Sequence, residues 1–413
     1  AFKKAVVEMY QKWLASQRSG LKNNLEIPKI NLEKYQRKNL TGNLARIFEN
    51  LACRQAGLSK KSQVKLCLIG NIQSSQNQNL CSSLLKYGCE IHFITIKPCN
   101  MTGIKTYFLG NNSFTPWYFT KSLYKIRKII RKIKPDIVHG QDLVFAGIWV
   151  CLSGFRPYVV TPWGSDVMNY ERFVGFEKYL IKKTLQKADL VTVSSVALRK
   201  QAEIIGLKKN KAQMVHFGID LDLFRKKSKS NPGLIFCPRT IGPIYNTDIL
   251  IQSFAKVVKK NKNAQLALLY NIANENYLLE VEKLIIHYGL VNKVLFWPRV
   301  DNQGMVDYYN KAEVIVSLSS SDGCSVSFLE AMACEKKIVA TDLPYIKEWE
   351  NGGNLWTVPV RDIGSTSKAI LLALKYPSSK WQKIGCQNRQ LIAKKAEIKS
   401  NIEKLANLYR SLI

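Results

Sequence analysis

The sequence predicts an α/β protein: two Rossmann-like, doubly wound parallel-sheet domains facing a cleft, preceded by a helical N-terminal extension. Three observations carry this. From residue 64 onward, short apolar runs of strand length alternate with segments of helical periodicity, as in parallel sheets covered by helices on both faces. The alternation stops at a basic connector, Arg225-Lys-Lys-Ser-Lys-Ser-Asn-Pro-Gly233, and then restarts. The length of 413 residues exceeds what one ordinary core organises and favours about two domains.

Residues 1–60 read as the extension. Phe2, Val6, Met9, Trp13 and Leu14, and again Leu44, Ile47, Phe48 and Leu51, recur at helical spacing. Residues 1–63 hold 13 basic and 4 acidic side chains. Such a segment lies in a membrane interface or docks on the main body as a helical arm. The first domain, 61–228, has strands expected at 64–70, 90–97, 105–109, 136–139, 158–161 and 189–193. The second, 229–390, has them at 234–237, 265–269, 294–297, 313–318, 337–340 and 355–358. Residues 391–413 read as a C-terminal helix packing back towards the first domain. Two such sheets present their ligand sites at the carboxyl ends of the strands.

Composition narrows the function classes. No apolar run reaches the ~20 residues that cross a bilayer; the longest, Val144 to Phe155, falls well short. The opening Ala1-Phe-Lys-Lys is a charged amphipathic pattern rather than a secretory signal. The ten cysteines form no Cys-x-x-Cys pair and the four histidines are scattered. This speaks against zinc and for reduced thiols used as small hydrophobes. The net charge of +32 draws the chain to polyanions. An anionic membrane surface and a lysine-rich background composition both fit, while nucleic acid ranks last because no recognisable binding motif occurs. In Lys121–Lys134, Leu123, Ile126, Ile129, Ile130 and Ile133 share one face and the cations fill the other. The apolar face is expected on the sheet, and the cationic face is suited to anionic lipid.

The chemistry concentrates at Ser321-Asp-Gly-Cys-Ser-Val-Ser-Phe-Leu-Glu330. A strand over 313–318 would put Asp322 and Gly323 in the loop at its carboxyl end. A helix starting near Phe328 would put Glu330 in its first turn. Free N–H groups between the two acids can hold an anion.

This stretch, continuing through Ala-Met-Ala-Cys334 and Ile338-Val-Ala-Thr-Asp-Leu-Pro to Glu348-Trp349, resembles the donor-site signature of glycosyltransferase family 4. Further resemblances fall in order: Pro135-Asp-Ile-Val-His139, Thr161-Pro-Trp-Gly-Ser-Asp166, Val215-His-Phe-Gly-Ile-Asp220, Pro238-Arg239 with Pro243-Ile-Tyr-Asn246, and Val358-Pro-Val-Arg-Asp362. The resemblance spans about 64–410 and implies the GT-B architecture. It also implies an enzyme that moves a sugar, with retention, from a nucleoside diphosphate sugar to a hydroxyl, with neither cofactor nor metal. By the same resemblance Glu330 would accept the ribose hydroxyls and Asp322 would bind the sugar. Backbone N–H groups of Gly323, Cys324, Ser325, Val326 and Ser327 would face the diphosphate, Arg239 would neutralise it, and Gly70 would allow close backbone approach. His139 either packs or faces the cleft; Asp166 either positions the acceptor or caps a helix. His216 reads as structural.

The sequence departs from the family pattern at Asp322, where Glu is commoner, and at Tyr245-Asn246, where a lysine is usual. It departs again at Glu335, where Gly is usual after the helix and φ > 0 would cost about 1 kcal/mol. The expected acceptor is a lipid-linked or cell-envelope glycan, and the expected location is the cytoplasm, peripheral on the inner face of the membrane. The competing readings are a degenerate, non-catalytic nucleotide- or membrane-binding partner of another glycosyltransferase, and a related-fold sugar-nucleotide epimerase.

Overall fold

A computed structural model describes residues 63–110, 116–272 and 274–413. The chain divides into two units, Ala1–Ser62 and Gln63–Ile413. The helical extension expected over 1–60 lies outside the described residues.

Gln63–Ile413 contains the two expected α/β domains. The first sheet comprises β1 (Lys65–Gly70), β2 (Glu90–Thr95), β3 (Ile104–Phe108), β4 (Ile137–Gly140), β5 (Tyr158–Val160), β6 (Leu190–Val193) and β7 (Ala212–Met214), all parallel, in the order β3-β2-β1-β4-β5-β6-β7. The central strands are continuous apolar runs because helices cover both faces. β7 is the strand that sequence reading missed. It has three residues, Ala-Gln-Met, two of them half-buried, and is defined by pairing with β6 rather than by its own pattern. The second sheet comprises β8 (Leu234–Cys237), β9 (Gln265–Tyr270), β10 (Val294–Pro298), β11 (Val314–Ser317), β12 (Lys337–Thr341) and β13 (Trp356–Val358), again parallel, in the order β10-β9-β8-β11-β12-β13.

Both strand orders reverse once, between β1 and β4 and between β8 and β11. A crevice opens at the carboxyl ends of such a switch point. Gly70 ends β1 and Gln141 follows β4, while Arg239 follows β8 and Ser319–Gly323 follow β11. The candidate residues therefore emerge where sheet topology leaves room for a ligand.

In the helix Pro116–Ile133, Ile126, Ile130 and Ile133 are buried in the first domain's core, and Lys121, Lys125, Arg127, Lys128, Arg131 and Lys132 are exposed. The helix Ser378–Lys395 contributes Ile392 to the second domain's core. The chain turns at Ala396–Glu397, and the helix Ile398–Arg410 buries Ile402, Leu405 and Tyr409 among Leu66, Leu68 and Ile137 of the first domain. Backbone hydrogen bonds from Ile219 N to Ala396 O (2.7 Å) and from Ile398 N to Ile219 O (3.0 Å) fix this crossing. A second tie comes from Glu348, whose Oε1 accepts the N–H groups of Val196 (2.9 Å) and Ala197 (3.2 Å). A carboxylate of one domain thus caps a helix start of the other.

Among the described residues no helix is long and apolar enough to cross a membrane. The nine cysteines there are free thiols, six of them buried, consistent with their use as small hydrophobes.

Candidate active site

Arg239 organises the second domain's side. Its Nη1 donates to Ser325 Oγ (2.6 Å) and Ser327 Oγ (3.2 Å), and its Nη2 to Asp322 Oδ2 (2.8 Å). Asp322 and Arg239 are largely buried, with side-chain exposures of 12% and 14%. Burial opposes the guanidinium charge, but Asp322, then Tyr245 and Tyr345, more than offset this and keep Arg239 protonated. The ring of Tyr245 lies 4.5 Å from the guanidinium carbon. Where the family carries a lysine, this chain therefore places an aromatic face against the arginine. Asn246, in the left-handed region at φ 51°, gives its Nδ2 to Leu318 O (2.6 Å) and Ser320 Oγ (2.8 Å), pinning the loop after β11.

The helix that follows runs Val326–Ala333, two residues ahead of the expected start. The reason is Ser325, whose Oγ accepts Phe328 N (3.3 Å) as an N-cap. Glu330 consequently sits in the second turn, a correction to the first-turn expectation. Its carboxylate is not held at the helix end but by a neighbouring helix, Asn302–Lys311. There the fully buried Tyr309 donates its hydroxyl to Glu330 Oε2 at 2.7 Å. Burial pushes the Glu330 carboxyl up to about 7, against the opposing pull of Tyr309 and Arg239. The helix ends as expected of its sequence: Glu335 takes φ 59°. Glu335 N bonds to Met332 O (3.0 Å) and Lys336 N to Ala331 O (3.0 Å), a Schellman ending built on a non-glycine residue.

Gly323 has a role that its sequence context did not reveal. A Cβ there would lie 2.6 Å from Gly164 Cα, and a Cβ on Gly164 would lie 2.2 Å from Gly323 N. The two domains thus touch backbone to backbone beside Asp322, through two glycines. Cys324 is buried, Ser325 is buried, and Val326 and Ser327 are half-buried at the helix start. Among the described residues no cluster of three or more His, Cys, Asp or Glu side chains is placed to hold a metal ion.

In the first domain the alternatives open at His139 and Asp166 are decided, and Gly70 gains a neighbour its sequence did not show. His139 is 1% exposed. Its Nδ1 lies 2.6 Å from Tyr409 Oη and its Nε2 2.6 Å from Thr161 Oγ1. Desolvation lowers its pKa to about 3. It is a neutral tether between β4 and the C-terminal helix, with no ring nitrogen left for a substrate. Asp166 is likewise buried. Its carboxylate accepts the N–H groups of Leu143 (3.0 Å), Trp163 (3.1 Å) and Gly164 (2.8 Å). It shapes the Gly164 loop instead of reaching for an acceptor. At Gly70 the space a Cβ would need is taken by Gln141 Cβ, at 2.9 Å, so this glycine makes room for a side chain. His216, read as structural, sits edge-on to Trp349 with ring centroids 5.3 Å apart.

Sequence reading missed Tyr309, which has no local signal because it arrives from another helix, and Gln141. The Gln141 residue is 3% exposed and its Nε2 has no hydrogen-bond partner. The same holds for Trp163 Nε1 and for the hydroxyls of Ser319 and Ser321. All four groups lie just beyond strand carboxyl ends, two from each sheet. Buried polar groups are rarely left unpaired, and four of the eleven such side-chain groups among the described residues stand at this edge.

Comparison with known proteins agrees with this geometry. Residues 65–195 match the family described as "Glycosyl transferase 4-like", and residues 219–391 match "Glycosyl transferases group 1". Alpha-monoglucosyldiacylglycerol synthase of Streptococcus pneumoniae is 22% identical over 255 residues, 55% of this chain and 56% of that protein. O-antigen chain mannosyltransferase RfbU of Salmonella typhimurium is 23% identical over 184 residues, 44% of this chain and 50% of that protein. The chain thus spans about half the length of these two relatives. Among solved structures, Anabaena HepE in complex with UDP-glucose superposes with a TM-score of 0.72 at 16% identity, covering 84% of this chain and 100% of that one. Sucrose-phosphate synthase of Thermosynechococcus elongatus gives 0.73 at 18% identity, covering 84% and 99%. These structural likenesses establish the GT-B fold, and the two matched segments show that the chain belongs to the family 4-like, group 1 glycosyltransferases.

Proposed function

We propose that this protein transfers a sugar from a nucleoside diphosphate sugar to a hydroxyl of a lipid-linked or cell-envelope glycan, retaining the anomeric configuration. The single observation that carries the reading is the preassembled group of Arg239, Asp322, Ser325 and Ser327, one helical turn from Glu330. In this scheme Glu330 accepts hydrogen bonds from the ribose and Asp322 from the sugar hydroxyls. Arg239 and the open N–H groups at the start of Val326–Ala333 receive the diphosphate.

As the bond between the anomeric carbon and the diphosphate breaks, negative charge grows on the leaving oxygen, and a fixed cation there lowers the barrier. The acceptor oxygen bonds to the same face, through an oxocarbenium-like transition state and without a protein nucleophile. Its proton leaves with the departing phosphate. The scheme assigns no step to a metal or cofactor. The two relatives, a monoglucosyldiacylglycerol synthase and an O-antigen chain mannosyltransferase, together with the +32 net charge, support an acceptor at an anionic membrane surface and a peripheral, cytoplasmic-face location.

The test is thermal unfolding with UDP, GDP and ADP, followed by donor hydrolysis by the parent and by Asp322→Ala and Glu330→Ala. A nucleotide bound well above its Kd raises stability by about 2.7 kcal/mol at a hundredfold excess. No stabilisation by any nucleotide and no turnover of any donor would sink the proposal.

A further inference from the structure

We propose that the segment around the start of the helix Gly175–Lys187 is a wedge that docks the protein on an anionic bilayer, with the mouth of the cleft facing the lipid. The proposal rests on the membrane-borne acceptor proposed above and names the surface that would meet the membrane. Val174, Phe176 and Tyr179 are 74%, 70% and 55% exposed, on one short stretch whose other apolar residues, Phe173, Leu180 and Ile181, are in the core. Large apolar side chains left together in water mark an interaction surface.

Cations surround them. Arg172 and Lys182 are exposed, and Lys183 lies 5.2 Å from the Tyr179 ring centroid. Of the two acids in the stretch, Glu171 is paired with Lys178; Glu177 is exposed. The helix Pro116–Ile133 packs into the same core from the same side of the sheet, joined through Ile148–Ser153. Its exposed lysines and arginines extend the basic surface. An apolar cluster inside a cationic field matches an anionic lipid interface, in which the rings enter the headgroup layer and the cations stay among phosphates.

Position adds the second argument. Gly175–Lys187 precedes β6, so it starts at the carboxyl edge of the first sheet and runs back to the amino edge. Val174 and Phe176 therefore stand at the edge where Gly164 meets Gly323. A bilayer seated there would bring headgroup-depth hydroxyls to the cleft.

The experiment uses the full chain and vesicles of phosphatidylcholine with and without phosphatidylglycerol. The measurements are vesicle retention and hydrogen exchange, for the parent and for the Val174→Ser, Phe176→Ser, Tyr179→Ser triple variant. Expected are retention on the anionic vesicles, protection over residues 172–183, and a loss of about tenfold or more in partitioning for the variant. The nucleotide-induced thermal shift should be unchanged in the variant. Equal retention of the variant, or protection confined to other parts of the chain, overturns the wedge while leaving membrane association intact. No retention of the parent overturns the membrane reading itself. Protection of 172–183 without vesicles, rising with protein concentration, reassigns the patch to contact between protein molecules and overturns the wedge.

Discussion

Replacing Gly323 by Ala adds one methyl group at the contact between the domains. Its Cβ would stand 2.6 Å from Gly164 Cα and 3.2 Å from Trp163 O. Both obstacles are backbone, and ordinary contact requires 3.4–4 Å, so the two loops must separate by roughly 1 Å. Gly323 itself has no positive φ, and Ala is conformationally acceptable there. The contact lies between two loops, so each domain keeps its core, and forcing the backbones apart should cost about 1–3 kcal/mol of stability. Catalysis is less tolerant. Asp322 precedes Gly323 and moves with it, and a misplacement of about 1 Å typically costs about 10²-fold in rate, or about 2.7 kcal/mol. The assay pairs steady-state sugar transfer or donor hydrolysis with thermal unfolding of the same preparation. A variant that melts with the parent and keeps its rate within about threefold would refute the claim that glycine-to-glycine contact sets the catalytic geometry. Gly164→Ala should be worse on both measures, since φ 128° adds backbone strain to the same clash.

Four other outcomes follow from the site. Only the carboxylate form of Glu330 can accept the donor's hydroxyls on both oxygens, and its pKa stands at about 7. Nucleotide association measured calorimetrically should weaken by about tenfold from pH 8 to pH 6, and Glu330→Gln should abolish that dependence. The same raised pKa means that the folded state binds the Glu330 proton more tightly than the unfolded chain. Its contribution to stability is therefore lost as pH rises from about 4.5 to about 7, a slope that Glu330→Gln should remove from denaturant titrations. Arg239→Ala strands Asp322 without its partner and should destabilise by about 3 kcal/mol; adding Asp322→Ala should recover part of this in chemical denaturation. Glu335→Gly relieves φ 59° and should raise stability by about 1 kcal/mol without changing activity.

The sequence reading succeeded where the signal was local and repeated. Apolar runs separated by helical periods specify parallel strands and crossover helices, because each pattern must bury its own face. Twelve strands were legible in this way, and β7 was not, because three residues of mixed character carry no period. The loop-to-helix stretch at Asp322–Glu330 was equally legible, as was the strain at Glu335, since capping is decided within a few residues. The helix start was misjudged by two residues because Ser325, rather than the following apolar run, supplies the cap.

What the chain's sequence determined by itself was the pair of doubly wound sheets and the identity of Arg239, Asp322 and Glu330 as polar residues at the ends of their strands. Only the tertiary structure decided which neighbours those residues have. Tyr309 reaches Glu330 from another helix, Gly164 meets Gly323 from another domain, and Gln141 fills the space beside Gly70. It also removed His139 and Asp166 from the reacting surface, since Tyr409 and Thr161 take the imidazole nitrogens and three backbone N–H groups take the carboxylate. The division has one physical cause. Periodicity and caps are properties of adjacent residues, whereas the free valence of a buried polar group depends on partners up to 270 positions away, which no local pattern encodes.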